Sequence, residues 1–193
     1  MKSIGLLGGS FDPPHKGHIY ISLESKKILK LDDVWWLVTP QNPLKISKPA
    51  TYEERIKNCH NITIGKPIKI VEIEKKINST YSYQSITYIQ NHYKNIKFFW
   101  IMGADNLINF HRWEKWRQIF NNISIVVFKR HGYNHKALKS ISSKTFSNFQ
   151  IISNSIHQIH FYQLPSWMWI NNCEIKISST EIREQRQLLR GKH

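Results

Sequence analysis

The 193-residue chain has only two cysteines, Cys59 and Cys173, far apart and in no C-x-x-C pair. That excludes a disulfide scaffold, a zinc ribbon and a thioredoxin-type redox motif, and it fits a reducing compartment. Long apolar runs are also missing. The most apolar stretches, Val34 to Val38 and Phe98 to Ala104, fall far short of the roughly 20 residues that a spanning helix needs. The brief apolar run at the N-terminus stops at Asp12-Pro13-Pro14, before a secretory h-region could form. A cytoplasmic protein with no membrane partner is expected. Acidic residues are scarce: 13 Asp and Glu stand against 28 Lys and Arg, a formal charge of +15. The lysines run from Lys2 to Lys192 without a dense block, so charge alone does not mark a nucleic-acid face. A positive field would equally attract a small anionic substrate.

What is present is an ordinary globular mix, with 40% hydrophobic and 12% aromatic residues. Length and composition predict one domain over residues 1–193, with no linker, repeat or low-complexity tract. Lys2 to Leu7 reads as a buried strand, and His18 to Leu29 has helical apolar spacing. Strands are expected at Asp33 to Val38, Ile68 to Ile73, Lys97 to Met102, Ile123 to Phe128 and Ile159 to Leu164. Between them, Thr51-x-x-Glu54 is a capping box for a helix to about Asn58. Ser82 to Tyr93 and Trp113 to Phe120 also read as helices, and Ser178-x-x-Glu181 opens a C-terminal one. Residues 130–155 are polar and ambiguous. Strand and helix in alternation predict an α/β fold, an open parallel sheet with helices on both faces.

Two motifs carry chemistry. Gly8-Gly9-Ser10-Phe11-Asp12-Pro13-Pro14-His15-Lys16-Gly17-His18 follows the first strand and opens the first helix. Glycines let a ligand approach the backbone, and a helix start offers unpaired N–H groups and a positive dipole end to phosphate. His15 and His18, three apart, would share a face and can donate to phosphate oxygens. The alternative is that both merely cap the helix. Near the other end, Ile177-Ser178-Ser179-Thr180-Glu181-Ile182-Arg183 crowds hydroxyls at a helix start and places Arg183 one turn on. Arginine grips phosphate oxygens bidentately. Two anion-binding helix starts in one domain suggest a nucleoside triphosphate. His131 with His135, and His157 with His160, have ligand-like spacing but read as loop or surface residues.

The two motifs together resemble those of the nucleotidyltransferase α/β-phosphodiesterase superfamily, (H/T)-x-G-H after the first strand and I-S-S-T-x-(I/V)-R near the end. Within it the chain is similar to the bacterial nicotinate-nucleotide adenylyltransferases. His15 stands where phosphopantetheine enzymes carry threonine, and Met102-Gly103-Ala104-Asp105 is followed by Phe110-His111-Arg112-Trp113. Asn42-Pro43-Leu44-Lys45 and Arg55 match a further stretch. The chain departs at Leu44, often histidine in the family, at Thr80 to Ser85, and at Glu114, commonly aromatic.

The resemblance implies a Rossmann-like nucleotidyltransferase fold of the HIGH type and adenylyl transfer from ATP to nicotinate mononucleotide, a step of NAD biosynthesis. His15, His18 and Arg183 would be catalytic. ATP would lie on Gly8, Gly9, Ser10, Phe11, His15, His18, Gly103, Asp105, Ile177, Ser179, Thr180 and Arg183. Asn42, Lys45, Ser82 and Trp113 would hold the mononucleotide, with the pyridine ring on Trp113 and its carboxylate at the Ser82 N–H. Core packing against Trp116 is the plainer reading of Trp113. Mg²⁺ would arrive with ATP, and no protein metal site is expected. Nicotinamide mononucleotide or phosphopantetheine as acceptor, or a basic RNA-binding domain, are the competing readings. Nucleic acid is not the expected partner, and self-association stays open.

Overall fold

The computed structural model describes residues 1–40, 50–152, 156–171, 179 and 182–183. Its first half runs β1 (Lys2–Gly9), α1 (Lys16–Ile28), β2 (Asp33–Val38), α2 (Tyr52–Thr63), β3 (Ile68–Val71), the single turn α3 (Ile73–Lys76) and α4 (Ser82–His92). Then come β4 (Ile96–Gly103), α5 (Ala104–Asn109), α6 (Trp116–Asn122), β5 (Ser124–Phe128), α7 (Asn134–Leu138), α8 (Ile141–Thr145), β6 (Gln150–Ile151) and β7 (Trp167–Ile170). Among the described residues all six strand pairings are parallel, in the order β3-β2-β1-β4-β5-β7-β6. This is the Rossmann-like α/β architecture.

Alternation along each strand feeds two cores. Ile4, Leu6, Trp35, Leu37, Phe98, Trp100, Ile125 and Val127 face one layer, with Ile86 and Ile89 of α4 and Ile119 and Phe120 of α6. Leu7, Val34, Trp36, Phe99, Ile101 and Val126 face the other, with Ile19 of α1 and Cys59 of α2. Strands buried on both faces read as unbroken apolar runs, which is why the central ones were plain in the sequence. From β1 the chain winds outward through β2 and β3, then returns to the opposite side of β1 as β4. The strand order therefore reverses between β1 and β4. At such a reversal the helices leave on opposite faces, and a crevice opens beyond the carboxyl ends.

The structure corrects several expected elements. Residues 159–164 are not a strand. Ile156–Phe161 is a 3-10 turn, and the strand comes later, at β7. His160 Nε2 meets the Leu29 carbonyl at 2.6 Å and Phe161 is 83% exposed, so the segment straps the sheet's amino end instead of entering it. The helix expected from Trp113 begins only at Trp116, because Lys115 adopts a left-handed conformation (φ 52°) that breaks the helical path. The helix after Thr51 runs on to Thr63, and β3 ends at Val71. Thr51 caps α2 as expected, its Oγ1 accepting from the Glu54 N–H at 3.3 Å. The capping box at Ser178 and Glu181 lies outside the described residues.

Candidate active site

The first motif occupies the carboxyl end of β1, beside the strand reversal. Gly8 is obligatory there for space: a Cβ would sit 2.6 Å from Trp100 Cη2 of the neighbouring β4. The chain turns at Phe11, whose backbone is left-handed (φ 46°), a strain of about 1 kcal/mol for a non-glycine residue. Packing holds it in place. The Phe11 ring is buried, stacks on Trp36 at 4.5 Å and lies 4.8 Å from the His18 ring.

His15 is the N-cap of α1 and His18 the third helical residue. His15 Nδ1 accepts the Gly17 N–H at 3.1 Å, and His18 Nδ1 accepts the His15 N–H at 3.2 Å. The rings stack with centroids 3.8 Å apart. The capping alternative is thus true of both rings. A neutral imidazole that accepts through Nδ1 carries its proton on Nε2. In that neutral form the proton of each ring is on Nε2, the nitrogen that does not cap the helix. Ser22 Oγ, which receives Trp36 Nε1–H at 2.8 Å, donates to the His18 carbonyl at 2.7 Å and fixes this turn from below.

The second motif reaches the same loop. Ser179 Oγ donates to the Pro13 carbonyl at 3.0 Å, and Arg183 Nη1 donates to the Asp12 carbonyl and lies 3.8 Å from Asp12 Oδ2. The two ends of the chain meet, as the paired motifs require. Ile177 and Thr180 lie outside the described residues, as do Asn42 and Lys45.

Across the reversal, Gly103 ends β4 and Asp105 enters α5. A Cβ at Gly103 would lie 2.5 Å from Asp105 Oδ1. That oxygen is buried without a hydrogen-bond partner, while Oδ2 receives Arg130 Nη1 at 2.7 Å. Trp113 is half-buried, edge-on to Trp100 at 6.1 Å and tilted against Phe110 at 4.7 Å. Among the described residues its aromatic neighbours are these two. Trp116 packs instead on Phe120 and Phe146. Ser82 is the first residue of α4, so its N–H is among the amides with no acceptor inside the helix. Lys115 Nζ lies 4.8 Å from the Tyr83 ring centroid, which brings the start of α4 beside the Trp113 loop.

Sequence reasoning gave no role to two arginines. Arg130 stands two residues beyond β5, and its place at a strand's carboxyl end was the available signal. Arg55 matches a motif and lies in the helix expected after Thr51, but no role was read for it. It is buried, with its guanidinium on backbone carbonyls. Burial pulls its pKa below the ordinary arginine value, and the Asp12 charge opposes this. A buried acid was missed as well. Glu74 of α3 is pushed up to about 7 by burial, with the Thr39 and Ser85 hydroxyls and Arg55 pulling the other way. His131 and His135 are exposed, and among the described residues no group of three or more His, Cys, Asp or Glu is placed to hold a metal.

The site is thus a cationic, donor-rich loop at the mouth of a parallel sheet, suited to a polyphosphate. A family model described as cytidylyltransferase-like matches residues 6–185. The chain belongs to the cytidylyltransferase-like family of nucleotidyltransferases. Among curated family members, a probable nicotinate-nucleotide adenylyltransferase of Ruegeria sp. (strain TM1040) is 40% identical over 183 residues, 95% of this chain and 97% of the relative. One of Agrobacterium fabrum (strain C58 / ATCC 33970) is 36% identical over 185 residues, covering 95% and 99%. In fold, the chain is similar to the Plasmodium falciparum nicotinic acid mononucleotide adenylyltransferase complexed with NaAD. The TM-score is 0.72 at 18% identity, over 95% of this chain and 83% of that one. No helix among the described residues of this family member is long and apolar enough to cross a membrane.

Proposed function

We propose that the protein transfers the adenylyl group of ATP to nicotinate mononucleotide, giving deamido-NAD and pyrophosphate. The observation that carries this is the convergence of His15, His18 and Arg183 on the loop at the β1/β4 reversal. Curated relatives of nearly the same length at 36–40% identity supply the acceptor. An oxygen of the mononucleotide phosphate attacks the α-phosphorus in line. The new O–P bond forms as the bond to the β-phosphate oxygen breaks, and pyrophosphate leaves with the electron pair. The nucleophile is an anion at neutral pH, so no general base is required, and no covalent enzyme intermediate forms.

Catalysis then rests on positioning and on charge stabilisation. The Nε2–H donors of His15 and His18 and the Arg183 guanidinium face the phosphates. The substrate is ATP as its Mg²⁺ complex. The loop offers nitrogen donors and one carboxylate, Asp12, which suits an ion whose ligands are phosphate oxygens and water. Gly8 to Phe11, Gly103 and Asp105 take the rest of ATP, the lone Asp105 Oδ1 being an acceptor for a hydroxyl. Ile177, Ser179 and Thr180 complete that half. Asn42, Lys45 and Trp113 take the mononucleotide, and the Ser82 N–H meets the pyridine carboxylate. The cytoplasm, where ATP is made available, is the compartment that fits.

Pyrophosphate release is to be measured with ATP and Mg²⁺ and each acceptor separately: nicotinate mononucleotide, nicotinamide mononucleotide and phosphopantetheine. Release with the first, well above the second, is expected. Release only with another acceptor would keep the fold and both phosphate motifs but overturn the substrate. Trp113→Ala is expected to raise KM for the pyridine nucleotide about 10-fold, the worth of one aromatic pair, with KM for ATP little changed. An unchanged KM for the mononucleotide would remove Trp113 from that role.

A further inference from the structure

The loop after β1 and the carboxyl end of β2 belong to different connections, yet a group transfer at the mouth of the sheet needs them in fixed register. One side chain touches both. Arg55, on the first turn of α2, is 1% exposed. Its Nη1 donates to the Ser10 carbonyl at 2.6 Å and to the Thr39 carbonyl at 2.8 Å. Nη2 donates to the Pro40 carbonyl at 2.6 Å, and Nε to the Ala50 carbonyl at 3.0 Å. Ser10 belongs to the loop after β1. Thr39, Pro40 and Ala50 stand on either side of residues 41–49. Four of the five N–H donors of a rigid planar fork thus go to backbone carbonyls from separate segments. The Tyr52 ring lies 5.5 Å from the guanidinium carbon, and Asp12, of the same phosphate loop, is the strongest charge acting on it.

We propose that Arg55 is a positioning residue, which sets the spacing between the loop after β1 and the backbone at the carboxyl end of β2 and ahead of α2. It touches no substrate. Its effect falls on alignment, and so on kcat, more than on the affinity of either substrate. A misplacement of about 1 Å between reacting groups can cost about 100-fold in rate. A lysine keeps the charge but concentrates its donors at one point, so it cannot span the four carbonyls. The proposal rests on the adenylyl-transfer reading, which wild-type turnover with nicotinate mononucleotide tests on its own.

Arg55→Lys and Arg55→Gln are to be compared with wild type. The readouts are thermal unfolding, ATP affinity and stoichiometry by titration calorimetry, and kcat per ATP-binding site. Expected are folded proteins with ATP affinity within about threefold of wild type. In these, kcat per site should fall about 100-fold in Arg55→Gln and less in Arg55→Lys. The proposal is overturned by kcat per site within threefold of wild type in either folded variant. It is equally overturned if activity falls only in proportion to the number of ATP-binding sites, or if ATP affinity falls as far as kcat. Where one variant folds, that one decides. If neither folds, Arg55 is a structural clamp and the positioning role is wrong.

Discussion

Replacing His18 with alanine is expected to lower kcat by about two to three orders of magnitude while the protein stays folded. The ring serves two purposes through its two nitrogens. Nδ1 accepts the His15 N–H, a cap contact worth about 1 kcal/mol. Nε2–H is the donor proposed to meet the charge that builds on the phosphates during transfer. Alanine removes both, so stability and rate must be read together. His15→Asn separates them. Asparagine is a good N-cap and can accept the Gly17 N–H as His15 Nδ1 does, but its amide nitrogen takes the place of the ring's Cδ2 and falls short of where Nε2–H reaches. It should match wild type in thermal unfolding and still lose about 100-fold in kcat. Wild-type turnover by either variant would make the histidine pair a helix cap and nothing more.

The stacked pair explains why the sequence could be read so far and no further. Gly-Gly, a stiff loop and two histidines three apart were visible as a phosphate site. That both rings would cap the same helix was visible only as a competing reading. The two are compatible because imidazole has two nitrogens on opposite edges, and a pattern of letters does not say which edge is used. The central strands were legible because they are buried on both faces. Ile159 to Leu164 misled for a related reason: its alternation suits a strand, but Pro165 follows it and the Leu29 carbonyl captures His160. The true strand, Trp167–Ile170, is four residues between a loop and Asn171. The described part of the ambiguous region, residues 130–152, breaks into α7, α8, a 3-10 turn and the two-residue β6, elements too short for periodicity to show. Arg55 was hidden for another reason. A capped helix bearing two glutamates and an arginine in its first turn looks solvated, and only tertiary structure shows four carbonyls converging on it.

Glu74→Gln is expected to remove a pH dependence of stability worth about 2 to 3 kcal/mol between pH 5 and pH 8. Glu74 sits in α3, almost wholly buried, with Oε2 lacking a hydrogen-bond partner. Burial pushes its carboxyl from 4.5 up to about 7, and Thr39 at the end of β2, Ser85 in α4 and Arg55 in α2 offset only part of that. Tyr52, the other titratable neighbour on α2, is itself raised by burial and by Glu72, and stays neutral throughout. Because the folded state holds the Glu74 proton more tightly than the unfolded chain does, the contribution is full below about 4.5. It is lost as the pH rises through about 7, where a buried charge must form. Urea unfolding of both proteins at pH 5 and pH 8 gives four free energies. Any constant offset from the amide cancels when the variant-minus-wild-type difference is compared between the two pH values. That difference should move in favour of the glutamine protein by about 2 to 3 kcal/mol at the higher pH. Parallel pH profiles would show that Glu74 is ionised across the range, held by Arg55 and the two hydroxyls. In that case the acid, the arginine and the loops they face form one charged unit beneath the site.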